Sequence, residues 1–334
     1  MKIGFFELEG WEEKIIREKF KEHELRFSNE KVSPESLPTQ FDFDVICVFV
    51  NSHLTADVIA RFPNLKLIAT RSTGFDHIDV PTCTAKGIKV AYVPGYGDNT
   101  VAEFAFGHIL NLTRKLYQAI DRTKNFEEFS FTGLRGFDLK GKTIGVIGTG
   151  RIGKETIKIA KGFDMNVVAY DPFPNAEAAA TLGFTYMSLE NLLGQSDIIT
   201  IHTPLNESTK HLINKNTVKF IKRGAYLINT ARGAIVETDA LVLALMDGTL
   251  GGAGLDVLEE EEDIKDEMRL LGESEIHAER VRMMLTNHAL MKMSNVFITP
   301  HTAFNTKEAM ERILNTTIEN ISGFIGGTLK NLVP

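Results

Sequence analysis

The chain has 334 residues, of which 43% are hydrophobic, and a formal net charge of −7. Because a single hydrophobic core stops growing at roughly 250 to 300 residues, this length predicts two domains. The acidic balance and the lack of a long Lys/Arg block in the sequence argue against a nucleic-acid partner.

Two features of the sequence bear on the compartment. Its two cysteines, Cys47 and Cys83, stand far apart and lack metal-ligand or redox spacing, so we expect a reducing compartment and no metal site. The opening "MKIGFFELEG" turns charged too early for a signal-peptide core, and no run approaches the roughly 18 apolar residues of a membrane span. We therefore expect a cytoplasmic protein without a membrane partner.

Short apolar runs alternate with helical patterns from the start of the chain. "KIGFF" precedes the amphipathic "WEEKIIREKFKEH", "DVICVFV" precedes "TADVIARF", and "LKLIATRS" and "IKVAYVP" follow. This alternation predicts parallel strands joined by crossover helices. The next stretch, "TVAEFAFGHILNLTRKLYQAIDRTKNF", has helical spacing interrupted only by Gly107, and it predicts a stiff arm leading out of the first unit.

A second alternating series begins at "GFDLKGKTIGVIGTG". Its predicted buried strands are "MNVVAYD", "DIITIHTP", "AYLINTAR", "GGAGLDVL" and "NVFITPHTAF". Ligands of open parallel sheets bind beyond the carboxyl ends of the strands, so we expect the chemistry in the loops that follow these strands.

The stretch "VIGTGRIG" places three glycines between a predicted strand and a predicted helix. In a dinucleotide-binding turn, Gly148 makes the tight turn, Gly150 lets backbone N–H groups approach a pyrophosphate, and Gly153 allows the helix to pack closely on the sheet. Asp171 ends the next strand, 18 positions after Gly153, where an acid accepts hydrogen bonds from the adenine ribose. A carboxylate there repels a 2′-phosphate, which favours NAD over NADP.

Three later strand ends carry groups suited to hydride transfer at a carbinol carbon. Arg232 follows a buried strand and offers the planar fork that binds a carboxylate in a bidentate manner. Asp256 ends the next strand, and His301 follows a proline at the end of the last one. A histidine beside a carboxylate has its charged form favoured, which suits a group that gives and takes back a proton.

The motifs "VIGTGRIG", "YDP", "HTP", "INTARG", "GLDV" and "TPHTAF" occur in an order and spacing that resemble the NAD-dependent D-2-hydroxyacid dehydrogenases. The resemblance extends to "LKLIATRSTGFDHID" and "VPGYGDNTVAEFAFGHIL", and so covers nearly the whole chain. It implies an α/β protein with a Rossmann-type, doubly wound NAD domain (99–302) inserted into a smaller flavodoxin-like substrate domain (1–98 and 303–334). It also implies a site in the interdomain cleft and a homodimer to which the "TVAEFAFGHIL" helix contributes.

The resemblance assigns the catalytic roles by position. Arg232 corresponds to the substrate-binding arginine and His301 to the acid/base. The family's glutamate lies five residues after the Asp of "LDV", which selects Glu261 as the partner of His301 and leaves its neighbours in the acidic run as competitors. These competitors are Glu259, Glu260 and Glu262.

The resemblance also implies the binding residues. On the substrate side they are Thr73, Gly74, Tyr96 and Phe304. On the cofactor side, Thr149, Arg151 and Ile152 join Gly148, Gly150, Gly153 and Asp171 near the pyrophosphate and ribose, His202 and Pro204 lie beside the adenine, and Thr230, Ala231 and Asp256 face the nicotinamide.

Pyruvate and D-lactate are the first choice of substrate pair. The long segment 262–295 and the motifs "TRSTGFDHID" and "HTAF" resemble D-lactate dehydrogenases. "PGYGDNT" and Asn305 depart from that pattern, which leaves glyoxylate, hydroxypyruvate or a branched 2-keto acid such as 2-ketoisocaproate as alternatives. Phosphite is disfavoured by Thr73, where phosphite-oxidising members carry a lysine, and formate by Glu261, where formate dehydrogenases carry glutamine.

A non-enzymatic alternative is an NAD-sensing corepressor, since some relatives use the same fold in that way. The set of Arg232, Glu261 and His301 favours an enzyme, although such regulators also retain it. Because such regulators carry long tails and this sequence shows none, we expect an enzyme rather than a corepressor.

Overall fold

The computed structural model describes residues 1–261 and 278–333, and the chain divides into two units. One comprises Met1–Tyr96 with Thr306–Pro334, and the other comprises Gly97–Asn305. None of the helices in the described part combines the length and the apolar composition that crossing a membrane requires. Nor do the described residues contain a group of three or more His, Cys, Asp or Glu side chains able to hold a metal ion.

The first unit is built on a five-stranded parallel sheet with the strand order β2-β1-β3-β4-β5. Its elements in chain order are β1 (Lys2–Phe5), α1 (Gly10–Lys19), β2 (Glu24–Phe27), β3 (Val45–Val48), α2 (Ala56–Ala60), β4 (Leu67–Thr70), α3 (Val80–Ala85) and β5 (Lys89–Ala91). Strand β2 was not predicted, because this edge strand is half exposed and its sequence "ELRF" offers no continuous apolar run.

The second unit is built on a seven-stranded parallel sheet with the order β12-β11-β10-β9-β6-β7-β8. Its elements as far as β9 are α4 (Asp98–Arg114), α5 (Leu116–Asn125), β6 (Thr143–Ile147), α6 (Arg151–Gly162), β7 (Asn166–Tyr170), α7 (Ala176–Leu182), β8 (Thr185–Tyr186), α8 (Leu189–Gln195) and β9 (Ile198–Ile201). There follow β10 (Ala225–Asn229), α9 (Thr238–Met246), β11 (Leu250–Leu255), α10 (Ala278–Lys292) and β12 (Val296–Ile298). A last helix, α11 (Lys307–Ile325), belongs to the first unit.

The strand order reverses at β6, which lies between β7 and β9. Ile147, the last residue of β6, is in register with Tyr170 of β7 and Ile201 of β9, so the loops after all three strands emerge together. A reversal of this kind opens the crevice in which doubly wound sheets bind their ligands.

Apolar side chains cover both faces of each sheet. In β3, Val45 and Cys47 join one buried cluster while Ile46 and Val48 join another. Such two-sided burial is why the central strands read as continuous apolar runs in the sequence. The predicted α/β class with parallel sheets is confirmed.

The predicted single helical arm is wrong, because the helix ends after Arg114. Lys115 adopts a left-handed conformation, with φ of 52°, and its N–H donates to the carbonyl of Asn111. The Asn111 side chain then accepts a hydrogen bond from the N–H of Tyr117. These contacts end α4 and start α5 without a glycine or a proline, so the sequence carried no stop signal.

Candidate active site

The turn between β6 and α6 depends on two glycines that pack against backbone. Gly148 has φ of +92°, and a Cβ atom there would lie 2.6 Å from the carbonyl oxygen of His202. A Cβ on Gly153 would overlap the carbonyl group of Gly148. Any side chain at either position would therefore push the turn away from the sheet.

Gly150 differs from both, because a Cβ atom built on it meets nothing within 4 Å. It is the N-cap of α6, whose first turn presents N–H groups that lack intrahelical partners. Open space in front of a positive helix end is the arrangement that binds phosphate groups. Arg151 and Ile152 start this helix, and the Arg151 Nε atom donates to Asp98 Oδ2 at 2.7 Å.

Asp171 lies directly after β7 and is bonded to the glycine loop. Its Oδ2 atom accepts hydrogen bonds from the N–H and the hydroxyl of Thr149, at 2.7 and 2.9 Å. Its Oδ1 atom accepts from the N–H of Phe173 at 2.9 Å. Oδ2 already accepts two hydrogen bonds, but Oδ1 accepts only one of the two that it can, so the group retains the capacity to accept a hydroxyl donor from a ribose.

The structure places the His202 ring inside the second unit. Its Nε2 atom lies 3.1 Å from the hydroxyl of Thr156 and 2.9 Å from that of Thr200, and burial lowers its pKa to about 3. The backbone carbonyl of His202 packs closely against Gly148, as described above. Pro204, by contrast, is exposed, and its carbonyl accepts a hydrogen bond from Thr209.

The loop after β10 presents Thr230, Ala231 and Arg232. Asn229, at the end of the strand, accepts the N–H of Ala231 with its side-chain oxygen and donates to the Arg232 carbonyl with its side-chain nitrogen. This pair of bonds fixes the turn that carries the guanidinium. The hydroxyl oxygen of Thr230 is buried and has no hydrogen-bond partner among the residues that the structure describes.

Gly233 lets the segment after β11 run against the Arg232 turn. A Cβ atom at this glycine would overlap the backbone of Leu258. The N–H of Leu258 in turn donates to Glu261 Oε2 at 3.3 Å. The arginine turn and the acidic segment are therefore packed backbone to backbone.

His301 and Glu261 form a hydrogen-bonded ion pair. The Nδ1 atom of His301 lies 2.7 Å from Glu261 Oε1, and each side chain is about one quarter exposed, at 23% and 24%. A carboxylate can only accept, so Nδ1 carries a proton and the remaining nitrogen, Nε2, is the one that can exchange a proton with a substrate. The ring of Phe304 packs edge-on against the imidazole, with centroids 6.4 Å apart.

The competing glutamates are arranged differently. Glu259 binds His211 through Oε1 at 2.6 Å, and its Oε2 accepts from the N–H and hydroxyl of Thr238, the first residue of α9. Glu260 has φ of 50° and is exposed. Glu262 lies outside the described residues. Of the described candidates, Glu261 is the one bonded to His301.

Asp256 is buried and holds the loop that carries His301. Its Oδ1 atom accepts from the N–H of Thr302 and the hydroxyl of Thr299, and its Oδ2 atom accepts from the N–H of Ala303. Its backbone carbonyl accepts the N–H of His301. Burial raises the pKa of this carboxyl group, and the three donors oppose that rise.

The substrate-side residues predicted before position 98 lie on the first unit. Thr73 and Gly74 follow β4, and the Thr73 hydroxyl donates to the carbonyl of Val93 at 2.7 Å. Tyr96 follows β5, and its carbonyl accepts from Arg312 Nε at 2.7 Å. Thr73 and Tyr96 are thus held by other segments of their own unit, at the carboxyl ends of the strands.

Comparison with known proteins bears on this arrangement. The family model described as "D-isomer specific 2-hydroxyacid dehydrogenase, NAD binding domain" matches residues 106–303. The D-lactate dehydrogenase of Escherichia coli (strain K12) is 34% identical over 331 residues, which cover 98% of each chain. The chain belongs to the D-isomer-specific 2-hydroxyacid dehydrogenase family. It is therefore an NAD-dependent dehydrogenase, close to D-lactate dehydrogenase.

Two further relatives extend the comparison. The crystal structure of the Aquifex aeolicus D-lactate dehydrogenase complexed with NAD and lactic acid superposes with a TM-score of 0.89 at 35% identity, covering 99% of this chain and 98% of that one. The glyoxylate reductase of Thermofilum pendens is 38% identical over 292 residues, which cover 86% of this chain and 80% of that protein.

NAD is the cofactor of this dehydrogenase, and two observations show that its residues fit the group. The open face of Gly150 at the start of α6 accommodates a pyrophosphate. The buried, unpartnered hydroxyl of Thr230 offers a hydrogen bond at the carboxyl end of β10, the next strand but one from β6 in the sheet.

The sequence analysis missed several residues that build this site. Asn229 and Gly233 shape the arginine turn, and Thr299 bonds to Asp256. Their positions gave a partial signal, since each lies within three residues of a predicted site residue at a strand end. Their roles depend on contacts with other segments, which no local pattern encodes.

Proposed function

We propose that this dehydrogenase interconverts pyruvate and D-lactate. The observation that carries the proposal is how much of this chain aligns with each relative. Two proteins named as D-lactate dehydrogenases align with 98% and 99% of this chain, whereas the glyoxylate reductase aligns with 86% of it. The long segment 262–295 and the "HTAF" motif point the same way.

His301 is the acid/base of the proposed reaction. Because Glu261 accepts a hydrogen bond from Nδ1–H, the imidazole is held in one orientation and Nε2 is left to exchange a proton with the substrate. In the reducing direction Nε2 donates its proton to the carbonyl oxygen of the keto acid, and the carboxylate of Glu261 stabilises the imidazolium before that transfer. In the oxidising direction Nε2 takes the proton from the hydroxyl group.

Arg232 binds the substrate carboxylate in this proposal. Its guanidinium supplies two parallel donors and favours the developing negative charge on the adjacent carbonyl oxygen. Phe304, which packs against His301, provides apolar surface to the substrate side chain. NADH, when bound, supplies the hydride that C2 of the keto acid receives.

The experiment measures loss of NADH absorbance with pyruvate, glyoxylate, hydroxypyruvate and 2-ketoisocaproate in separate reactions. NADPH serves as the cofactor control, and the chirality of the product is determined. We expect pyruvate to give the highest kcat/KM and D-lactate as the product. A higher kcat/KM for glyoxylate would replace this proposal with glyoxylate reduction. NADH binding without turnover of any of the four keto acids would favour the alternative of an NAD-sensing corepressor.

Matched variants test the catalytic assignments. Glu261→Gln and His301→Ala should each lower kcat by about 100-fold or more, in the range of general acid/base contributions. Arg232→Ala should raise KM and lower kcat/KM. Glu260→Gln is the control, because this exposed neighbour carries the same charge change. Wild-type kcat in Glu261→Gln would contradict the assignment.

We also propose that the dehydrogenase is a homodimer whose contact includes α4, α5 and the segment after α5. The exposed fractions of Tyr117, Ile120, Phe129 and Phe131 are 56%, 54%, 98% and 90%. The same unit has a cavity of about 700 Å³ lined by α4, α5, α10 and β12 residues, Phe104 among them. A two-fold contact between copies would bury both features at once.

Analytical ultracentrifugation tests this contact. The double variant Phe129→Ser/Phe131→Ser should sediment as a monomer where the wild type is a dimer. Phe173→Ser, which changes an 85% exposed phenylalanine elsewhere on the second unit, should leave the dimer intact. A monomeric wild type, or a dimer in the double variant, would reject the proposed surface.

A further inference from the structure

Two hydrogen bonds in series link Asp256 to a residue of helix α4, with the hydroxyl of Thr299 between them. The hydroxyl of Thr299 lies 2.5 Å from Asp256 Oδ1 and 3.1 Å from the Nε2 atom of His108. Thr299 directly follows β12, and His108 lies in the middle of α4. A continuous hydrogen-bonded chain therefore runs from α4 to the carboxylate.

The carboxylate of Asp256, at one end of this chain, determines which atom donates in each hydrogen bond. A carboxylate only accepts, so the single proton of the Thr299 hydroxyl points at Asp256. That hydroxyl can then only accept from His108, and so Nε2 of His108 carries the ring proton. Burial lowers the pKa of His108 to about 4, which keeps this ring neutral near pH 7.

The approach of His108 to the sheet depends on Gly254 of β11. A Cβ atom at Gly254 would lie 2.7 Å from the Cβ atom and 2.9 Å from the Cγ atom of His108. The imidazole is 5% exposed, and the ring of Phe104 packs against it edge-on at 5.3 Å. The ring is thus packed between β11 and Phe104, at the edge of the cavity of about 700 Å³ described above.

The orientation of the Asp256 carboxylate in turn restrains the loop that carries His301. His301 has φ of +54°, a left-handed conformation that costs about 1 kcal/mol or more in a residue with a Cβ atom. The loop keeps it because Asp256 binds the N–H groups of Thr302 and Ala303 on one side. A carboxylate that rotated away would release the restraint on this conformation.

We propose that His108 and Thr299 are positioning residues for the proton transfer at His301, acting through the orientation of Asp256. They touch neither the substrate nor the reacting atoms. The inference rests on the proposed role of His301 in catalysis. It assigns to α4 a function in the reaction, besides its place in the core.

Paired variants separate the hydrogen bonds from the packing. Thr299→Val removes the hydroxyl at nearly constant shape, whereas Thr299→Ser keeps it. His108→Phe keeps a ring and removes the donor, whereas His108→Gln offers a side-chain N–H in place of Nε2. We expect kcat to fall about tenfold in the valine and phenylalanine variants, with NADH Kd within about twofold of wild type. The serine and glutamine variants should recover most of that loss.

Amide hydrogen exchange gives a readout that does not depend on turnover. In the full-length protein, with and without NADH, exchange at Thr302 and Ala303 should accelerate about tenfold in Thr299→Val and stay near the wild-type rate in Thr299→Ser. Thermal unfolding of the same samples reports any general loss of stability, which would accelerate exchange in all strands rather than in this loop.

Two results would overturn the inference. One is unchanged kcat and unchanged loop exchange in Thr299→Val. The other is a loss of kcat that serine and glutamine do not recover, since that pattern indicates packing alone. Failure of the wild type to reduce any 2-keto acid would instead reject the proposed function, and the exchange data would still decide whether Thr299 and His108 hold the loop.

Discussion

Replacing Gly150 with alanine should weaken NADH binding and leave the fold intact. The added methyl group meets no protein atom within 4 Å, and Gly150 has no positive φ. The methyl group would instead occupy the space in front of the first turn of α6. There it would hold the pyrophosphate away from the N–H groups of the helix.

The structure sets the size of both effects. An alanine in place of glycine at an N-cap costs about 1 kcal/mol or less, so the unfolding temperature should fall by no more than about 3 °C. Loss of one hydrogen bond between a backbone N–H and a charged phosphate costs about 1.5 to 3 kcal/mol, which raises the Kd of NADH by about 10- to 150-fold.

Two other glycines of the same unit supply the controls. Gly153→Ala places its methyl group on the Gly148 carbonyl, so it should lower stability by about 1 to 3 kcal/mol or more. Gly162→Ala lies at the far end of α6 in open space and should leave both NADH affinity and stability close to wild type, or raise stability slightly.

Fluorescence titration with NADH and thermal unfolding measure the two quantities separately. The reasoning is refuted if Gly150→Ala binds NADH like the wild type. It is equally refuted if Gly150→Ala unfolds as early as Gly153→Ala, because the loss of binding would then follow from a damaged turn.

Three further predictions concern stability and reactivity. Glu12→Ala should cost about 3 to 5 kcal/mol in urea unfolding because it breaks a fully buried ion pair, whereas Glu13→Ala, in an exposed pair, should cost less than about 1 kcal/mol; equal costs would contradict this. The folded-state pKa of His202, about 3, lies below its ordinary value of 6.5, so the contribution of its neutral ring to the free energy of unfolding is fully present above pH 6.5 and is lost as the pH falls toward 3. Between pH 7 and pH 5 the free energy of unfolding of the wild type should therefore fall by about 2 kcal/mol more than that of His202→Gln. Burial raises the pKa of Cys47 to about 12 and that of Cys83 to about 11, so a thiol reagent at pH 8 should modify neither in the native protein and both after unfolding in urea.

The cofactor turn could be read from the sequence because its determinants are local. The three glycines, the strand before them and the helix after them lie within 20 residues, and the acid of Asp171 follows at the end of the next strand. The alternation of apolar runs and helical patterns also gave the parallel α/β class. Both signals come from periodicity and from glycine, which act over short stretches of chain.

The limits of that reading appear at single residues. Nothing in the local pattern marked the helix end at Lys115, because left-handed lysine is a response to surrounding contacts. His202 occupies a strand end like His301, yet its ring is buried against Thr156 and Thr200 while the imidazole of His301 is partly exposed. Sequence position does not distinguish the two.

The sequence by itself determined the fold class, the glycine turn and the order of strand ends on which Arg232, Asp256 and His301 lie. The tertiary structure decided which groups meet. In "EEEED" it directed Glu261 to His301 and Glu259 to His211 and Thr238, although the two glutamates are two positions apart. Secondary structure is specified by neighbours along the chain, but hydrogen-bond partners are chosen through space, by the packing of segments that are distant in sequence.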